Sequence, residues 1–137
     1  MKTAASILKR IYSNFNMQSF DILITALTKL FKSSYKKLII NQNQIDKLRA
    51  IFASRKGPVI LCPTHRSYID FLVLSTILYH YGLEAPLICA GEDFLGMSFI
   101  ADILRGSGAF FMRRSFKGDD LYKAIFYEYV RILNKDR

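Results

Sequence analysis

Apolar residues in the first third of the chain recur at the spacing of a helix rather than of a strand. Phe20, Leu23, Ile24, Leu27, Leu30 and Phe31 fall on one side of a helical period, with Asp21, Thr25, Thr28, Lys29 and Lys32 opposite. This predicts an amphipathic helix with Ser19 as its cap. A second helix is expected to follow Asn43, with Ile45, Leu48, Ile51 and Phe52 on one side, and to end before Gly57-Pro58. Residues 1–54 therefore read as an N-terminal helical segment.

From residue 55 onward the rhythm changes. Val59-Ile60-Leu61-Cys62 is a short buried-strand pattern closed by Pro63. Residues from about 68 to 81 form an apolar helix that stops at Gly82. A second strand is expected over about 85–90, a helix over about 96–105 broken by Gly106-Ser107-Gly108, a third strand over 109–112 and a last helix over 119–133. Strand and helix alternating in this way imply an α/β fold, a parallel sheet covered by helices. Ligands of such sheets bind in the loops at the carboxyl ends of the strands.

Composition narrows the partners without choosing one. The chain has 137 residues, 51% of them hydrophobic, enough for one packed domain. Lys and Arg outnumber Asp and Glu by 20 to 11, a net charge of +9, which favours anionic partners. Nucleic acid is not favoured among them, because the aromatics follow core periodicity instead of alternating with exposed basic residues. The two cysteines, Cys62 and Cys89, suggest neither a disulfide framework nor a zinc site. The longest apolar runs fall short of the roughly 18–20 residues that span a bilayer, so membrane contact is expected to be peripheral. No signal-peptide core follows the basic residues near the N-terminus, and the C-terminal Asn-Lys-Asp-Arg is not a peroxisomal signal.

Candidate chemistry begins after the first expected strand, at Thr64-His65-Arg66-Ser67-Tyr68-Ile69-Asp70. On one continuous helix His65 and Asp70 would point about 140° apart, at about 100° per residue. They can meet only if His65 lies in the loop and Asp70 in the first helical turn, with Ser67 capping the helix. In that arrangement Asp70 accepts the Nδ1 proton of His65, and Nε2 is left to take a proton from a hydroxyl. The same residues also read as a capping box, in which Asp70 only satisfies backbone amides. A thiol hydrolase using Cys62 with His65 is a weaker alternative, since no activating helix terminus accompanies the cysteine. Further on, Arg113 and Arg114 end the third expected strand. A guanidinium fork matches phosphate oxygens, and adjacent strand residues face opposite ways, so one of the two is expected to reach a phosphate. The alternative is a solvated basic strand end.

The surrounding text resembles a known family. His65-Arg66-Ser67-Tyr68-Ile69-Asp70-Phe71-Leu72 is similar to the His-x4-Asp block of the glycerolipid acyltransferases, and Gly108-Ala109-Phe110-Phe111-Met112-Arg113-Arg114 to their second block. Gly91-Glu92-Asp93-Phe94-Leu95-Gly96-Met97 and Leu104-Arg105-Gly106-Ser107-Gly108 resemble the branch that acylates dihydroxyacetone phosphate, with the glycerol-3-phosphate branch similar over the same stretch. The resemblance implies an acyl-CoA-dependent O-acyltransferase with His65 as general base, Asp70 orienting it, and Arg113 and Arg114 at the acceptor phosphate. Arg66, Ser67 and Gly108 would support these loops. It implies no metal or other cofactor, acyl-CoA being a co-substrate. It also implies a peroxisomal, membrane-associated role in ether-lipid synthesis and an alkyl-dihydroxyacetone-phosphate synthase partner. The family's third and fourth blocks have no counterpart here, so residues 55–137 are expected to form a partial acyltransferase domain with an open sheet edge. The reading from another class is an inactive fragment that binds a membrane or a partner through the basic N-terminal helices.

Overall fold

A computed structural model describes residues 3–64, 66–67 and 69–135. Among them the chain forms six α-helices and a two-stranded parallel sheet, a mixed α/β arrangement. It divides into two compact units, one of residues 1–20 with 87–137 and the other of residues 21–86.

The first unit is built on a strand–helix–strand crossover. Strand β1 (Ile88–Gly91) leads through a short 3-10 turn (Glu92–Gly96) into helix α5 (Ser98–Gly106) and then into strand β2 (Ala109–Met112). The strands pair in parallel, with Ile88 opposite Ala109 and Gly91 opposite Met112. Parallel neighbours cannot be joined by a tight hairpin, and α5 supplies the crossover. Gly108 makes the entry to β2 with φ 100, a left-handed conformation that a side chain would strain. Its carbonyl accepts from the Ile88 amide at 3.0 Å, extending the ladder by one rung.

Helices α1 (Ala4–Ile11) and α6 (Asp120–Lys135) enclose this pair. The core joins Ile7 and Ile11 of α1, Phe110 of β2, and Tyr122 and Phe126 of α6. Ile125, Tyr129, Val130 and Leu133 continue the same face of α6 at helical spacing. Phe110 lies edge-on to Tyr129, and Phe116 packs against both Tyr122 and Phe126. Arg105, at the end of α5, donates to the carbonyls of Arg10 and Tyr12 and lies over the Phe111 ring. It thereby satisfies carbonyls that the end of α1 leaves without helical partners.

The second unit contains most of α2 (Met17–Ser34), α3 (Gln42–Ser54) and α4 (Asp70–His80). The cap of α2 is Asn16, not the expected Ser19: its side-chain oxygen accepts from the amides of Gln18 and Ser19 at 2.8 and 3.3 Å. Helix α3 likewise starts earlier than expected, capped by Asn41. Ile45 of that helix is buried, whereas Ile51 is exposed. Ile51 sits about 120° around from Ile45 at about 100° per residue, beyond the edge of the apolar stripe. The Thr28 hydroxyl and His80 Nε2 lie 2.9 Å apart, linking α2 to α4.

One expected strand is missing from the sheet. Residues 59–62 alternate in burial, with Ile60 73% exposed, but pair with no other strand. Pro58 and Pro63 bracket the segment without amides to give, and among the described residues no other strand accepts its hydrogen bonds. The sheet of the described residues therefore has two strands rather than three. β1 begins at Ile88 rather than near residue 85, because Pro86 has no amide to give.

Candidate functional site

The first motif lies in the second unit, and His65 and Tyr68 fall outside the described residues. Asp70, next along the motif, is the first residue of α4. One oxygen, Oδ2, accepts from the amide of Arg66 at 2.7 Å and from that of Ser67 at 2.8 Å. The Ser67 hydroxyl accepts from the Ile69 amide at 3.3 Å, and the Ser67 carbonyl from the Asp70 amide at 3.2 Å. The expected Ser67 cap of α4 is not formed: α4 starts behind Ile69 without a side-chain cap. The backward reach of the carboxylate reproduces half of the capping-box reading. Arg66 and Ser67 thus contribute backbone amides that hold the Asp70 carboxylate in place.

The second motif lies at the carboxyl ends of β1 and β2 in the first unit. Because Gly91 pairs with Met112, the chains leave the sheet in step, Glu92 beside Arg113 and Asp93 beside Arg114. Both opposite-charge pairs form. Arg113 Nε lies 3.4 Å from Glu92 Oε2, and Arg114 donates through Nε and Nη2 to Asp93 Oδ2 at 2.9 and 2.7 Å. Strand alternation sends the two side chains to different surroundings. The Arg113 side chain is 21% exposed and that of Arg114 82%.

Arg113 is held from three sides. Asp119 Oδ2 accepts from its Nη1 at 2.6 Å, and the guanidinium carbon stands 4.0 Å from the centre of the Tyr122 ring. Its pKa is pushed further up by the Asp119 hydrogen bond, with Glu92 adding to the effect, so it stays charged. Its own amide donates to the Tyr122 hydroxyl at 3.0 Å. Burial pushes the Tyr122 phenol above its usual value. Glu92, 11% exposed, also meets Arg10 at 3.3 Å, while its other oxygen is buried without a hydrogen-bond partner among the described residues. Asp119 uses its second oxygen on the Tyr122 amide at the start of α6.

Arg10, Arg113 and Arg114 are thus matched by Glu92, Asp93 and Asp119. Pattern reasoning singled out Arg113 and Arg114 but not Arg10, and did not identify these carboxylates as their partners. The signal that identifies them is the strand register, which requires knowing that residues 88–91 and 109–112 pair. Among the described residues no group of three His, Cys, Asp or Glu side chains is arranged to hold a metal ion, and no helix is long and apolar enough to cross a membrane.

A model of the acyltransferase family matches residues 39–137, a stretch that contains both motifs. Over 108 residues the chain is 54% identical to a dihydroxyacetone phosphate acyltransferase of Oryctolagus cuniculus, covering 79% of this chain and 16% of that protein. It is 46% identical over 130 residues to the Bos taurus protein of the same name, covering 95% of this chain and 19% of the relative. A glycerol-3-phosphate acyltransferase of Pseudomonas paraeruginosa is 39% identical over 123 residues, covering 90% of this chain and 14% of that protein. The chain spans less than a fifth of the length of these curated relatives. With the family model matching most of its length, the chain belongs to the acyltransferase family.

Proposed function

We propose that this chain contributes to an acyl-CoA-dependent O-acyltransferase whose acceptor is dihydroxyacetone phosphate, with glycerol 3-phosphate as the alternative acceptor. The observation that carries this reading is the exposed Arg114 fork at the carboxyl ends of two parallel strands, beside the restrained Arg113. It is joined by relatives whose names specify these two phosphorylated acceptors. A phosphate bound at Arg114 would anchor the acceptor by charge-assisted hydrogen bonds.

In the reaction, His65 Nε2 takes the proton of the acceptor hydroxyl as its oxygen attacks the thioester carbonyl. The tetrahedral adduct expels the coenzyme A thiolate, and the imidazolium returns the proton to that sulfur. Asp70 holds His65 in the required tautomer and stabilises its charged form. Asp70 is suited to this because backbone amides fix one of its oxygens independently of the histidine. The setting we propose for this activity, supported by the family resemblance, is ether-lipid synthesis at the peroxisomal membrane together with an alkyl-dihydroxyacetone-phosphate synthase. Peripheral membrane contact is supported by exposed Ile22, Leu38 and Ile39 among the exposed lysines 29, 32, 36 and 37. Binding to phosphatidylserine vesicles, but not to phosphatidylcholine vesicles, is expected; equal binding to both or to neither would contradict it.

The test is transfer of labelled palmitate from its coenzyme A ester to dihydroxyacetone phosphate by the purified chain and by its His65→Ala variant. Transfer that the substitution abolishes is the expected result. Transfer that survives it would overturn the general-base role, and no transfer by the folded chain to either acceptor would overturn the activity for this chain.

A further inference from the structure

Among the described residues of the first unit, three guanidiniums of the arginine cluster face three carboxylates. A phosphate that takes the edge of a guanidinium already engaged by a carboxylate must open that pair. The pairs differ in what opening requires. Arg113 is contacted by two carboxylates and by the Tyr122 ring, and its side chain is mostly buried. Removing either partner there would strand a charge away from water. Arg114 and Asp93 are both largely in solvent, at 82% and 65% exposure. Exposed ion pairs contribute little stability, because water and salt compete with them.

Resting on the acceptor-site reading above, we propose that Asp93 is a positioning residue that occupies the Arg114 fork as an internal stand-in for the substrate phosphate and thereby sets acceptor affinity. The geometry is that of a competitor. Nε and Nη2, the two donors on one edge of the guanidinium, both converge on the single oxygen Oδ2 of Asp93. That edge is the one a phosphate would engage with two parallel hydrogen bonds. A dianion using two oxygens makes better use of it than a monoanion using one, so exchange favours the ligand without leaving Arg114 uncompensated in the free protein. Asp93 follows Glu92 in the turn after β1. Adjacent carboxylates on one strand exit therefore sort adjacent arginines on the other into a fixed one and an exchangeable one.

The experiment is a titration of the full chain with inorganic phosphate, read by NMR at the Nε–H resonances of Arg113 and Arg114, for the native protein and for Asp93→Asn. The expected result is a saturable shift at Arg114 with Arg113 little changed, and affinity up to about fivefold tighter in Asp93→Asn, the factor set by an exposed pair. Asp102→Asn, which removes one exposed charge from α5, controls for net charge and should leave the affinity unchanged. Equal affinity in Asp93→Asn and native protein would overturn the stand-in role while leaving the phosphate site intact. An equal gain from Asp102→Asn would assign the effect to overall charge and overturn it as well. A response at Arg113 in place of Arg114 would overturn the sorting of the pair. No response at either arginine would remove the acceptor-site reading, and the stand-in role with it.

Discussion

Arg113 and Arg114 are adjacent in sequence and differ in almost everything that governs their energetics. Arg113 is braced by Asp119, Glu92 and the Tyr122 ring, and Arg114 stands in solvent against Asp93. Arg113→Met should therefore lower stability by about 1–3 kcal/mol, since it takes the Arg113 cation from two partly buried carboxylates, Asp119 and Glu92, of which Glu92 keeps Arg10. Arg114→Met should change it by no more than about 0.5 kcal/mol. Urea denaturation of the two variants checks this, and similar losses would show that exposure does not separate the pair. Asp70 is a second case of a residue with several tasks. Its carboxylate serves the amides of Arg66 and Ser67, a structural use beside the histidine-orienting role proposed for it.

Among the elements, α6 contributes most of the first unit's aromatic core. Phe126 touches Phe110 and Phe116 and lies stacked against Tyr122. Phe126→Ala should destabilise by about 3–5 kcal/mol, through lost burial and the cavity left behind. The crossover depends on a different kind of residue. Gly108 has φ 100 where the chain turns from α5 into β2, so Gly108→Ala should cost more than about 1 kcal/mol through backbone strain rather than lost contacts. Equilibrium unfolding of both variants tests these values. A Gly108→Ala protein as stable as the native one would show that the turn does not need the left-handed conformation.

For the molecule as a whole, pH offers a global test. Burial pushes the phenols of Tyr122 and Tyr129 above their ordinary value of 10.0, with hydrogen bonds from the Arg113 and Ser13 amides pulling less strongly the other way. In the unfolded chain both would release their protons near pH 10, whereas in the folded chain they keep them to higher pH. Their contribution to stability is then complete below about pH 10 and is lost as the pH rises through the folded values. Melting followed by circular dichroism should give a nearly constant midpoint from about pH 8 to 9.5 and a falling one above pH 10. A midpoint that stays level to about pH 11 would mean that these phenols ionise as easily folded as unfolded.

Sequence by itself determined the helices, because their apolar spacing reflects a local geometry that every turn repeats: α2, α3, α4, α5 and α6 all lie within a few residues of where periodicity puts them. It determined β2 as well, and it singled out two motifs that lie within the stretch the family model matches. Caps were less legible. Asn16 and Ser19 are both capable caps, and the choice fell to Asn16, next to a segment whose amides at Asn14 and Asn16 donate to the Arg105 and Gly106 carbonyls. Residues 59–62 have a strand's alternation, but a strand exists only when another chain segment accepts its hydrogen bonds, and that is a tertiary fact. The same reason hid the partners of the arginines. Glu92 and Asp93 are some twenty residues from Arg113 and Arg114 in sequence, and only the parallel register of β1 with β2 brings each carboxylate beside its guanidinium.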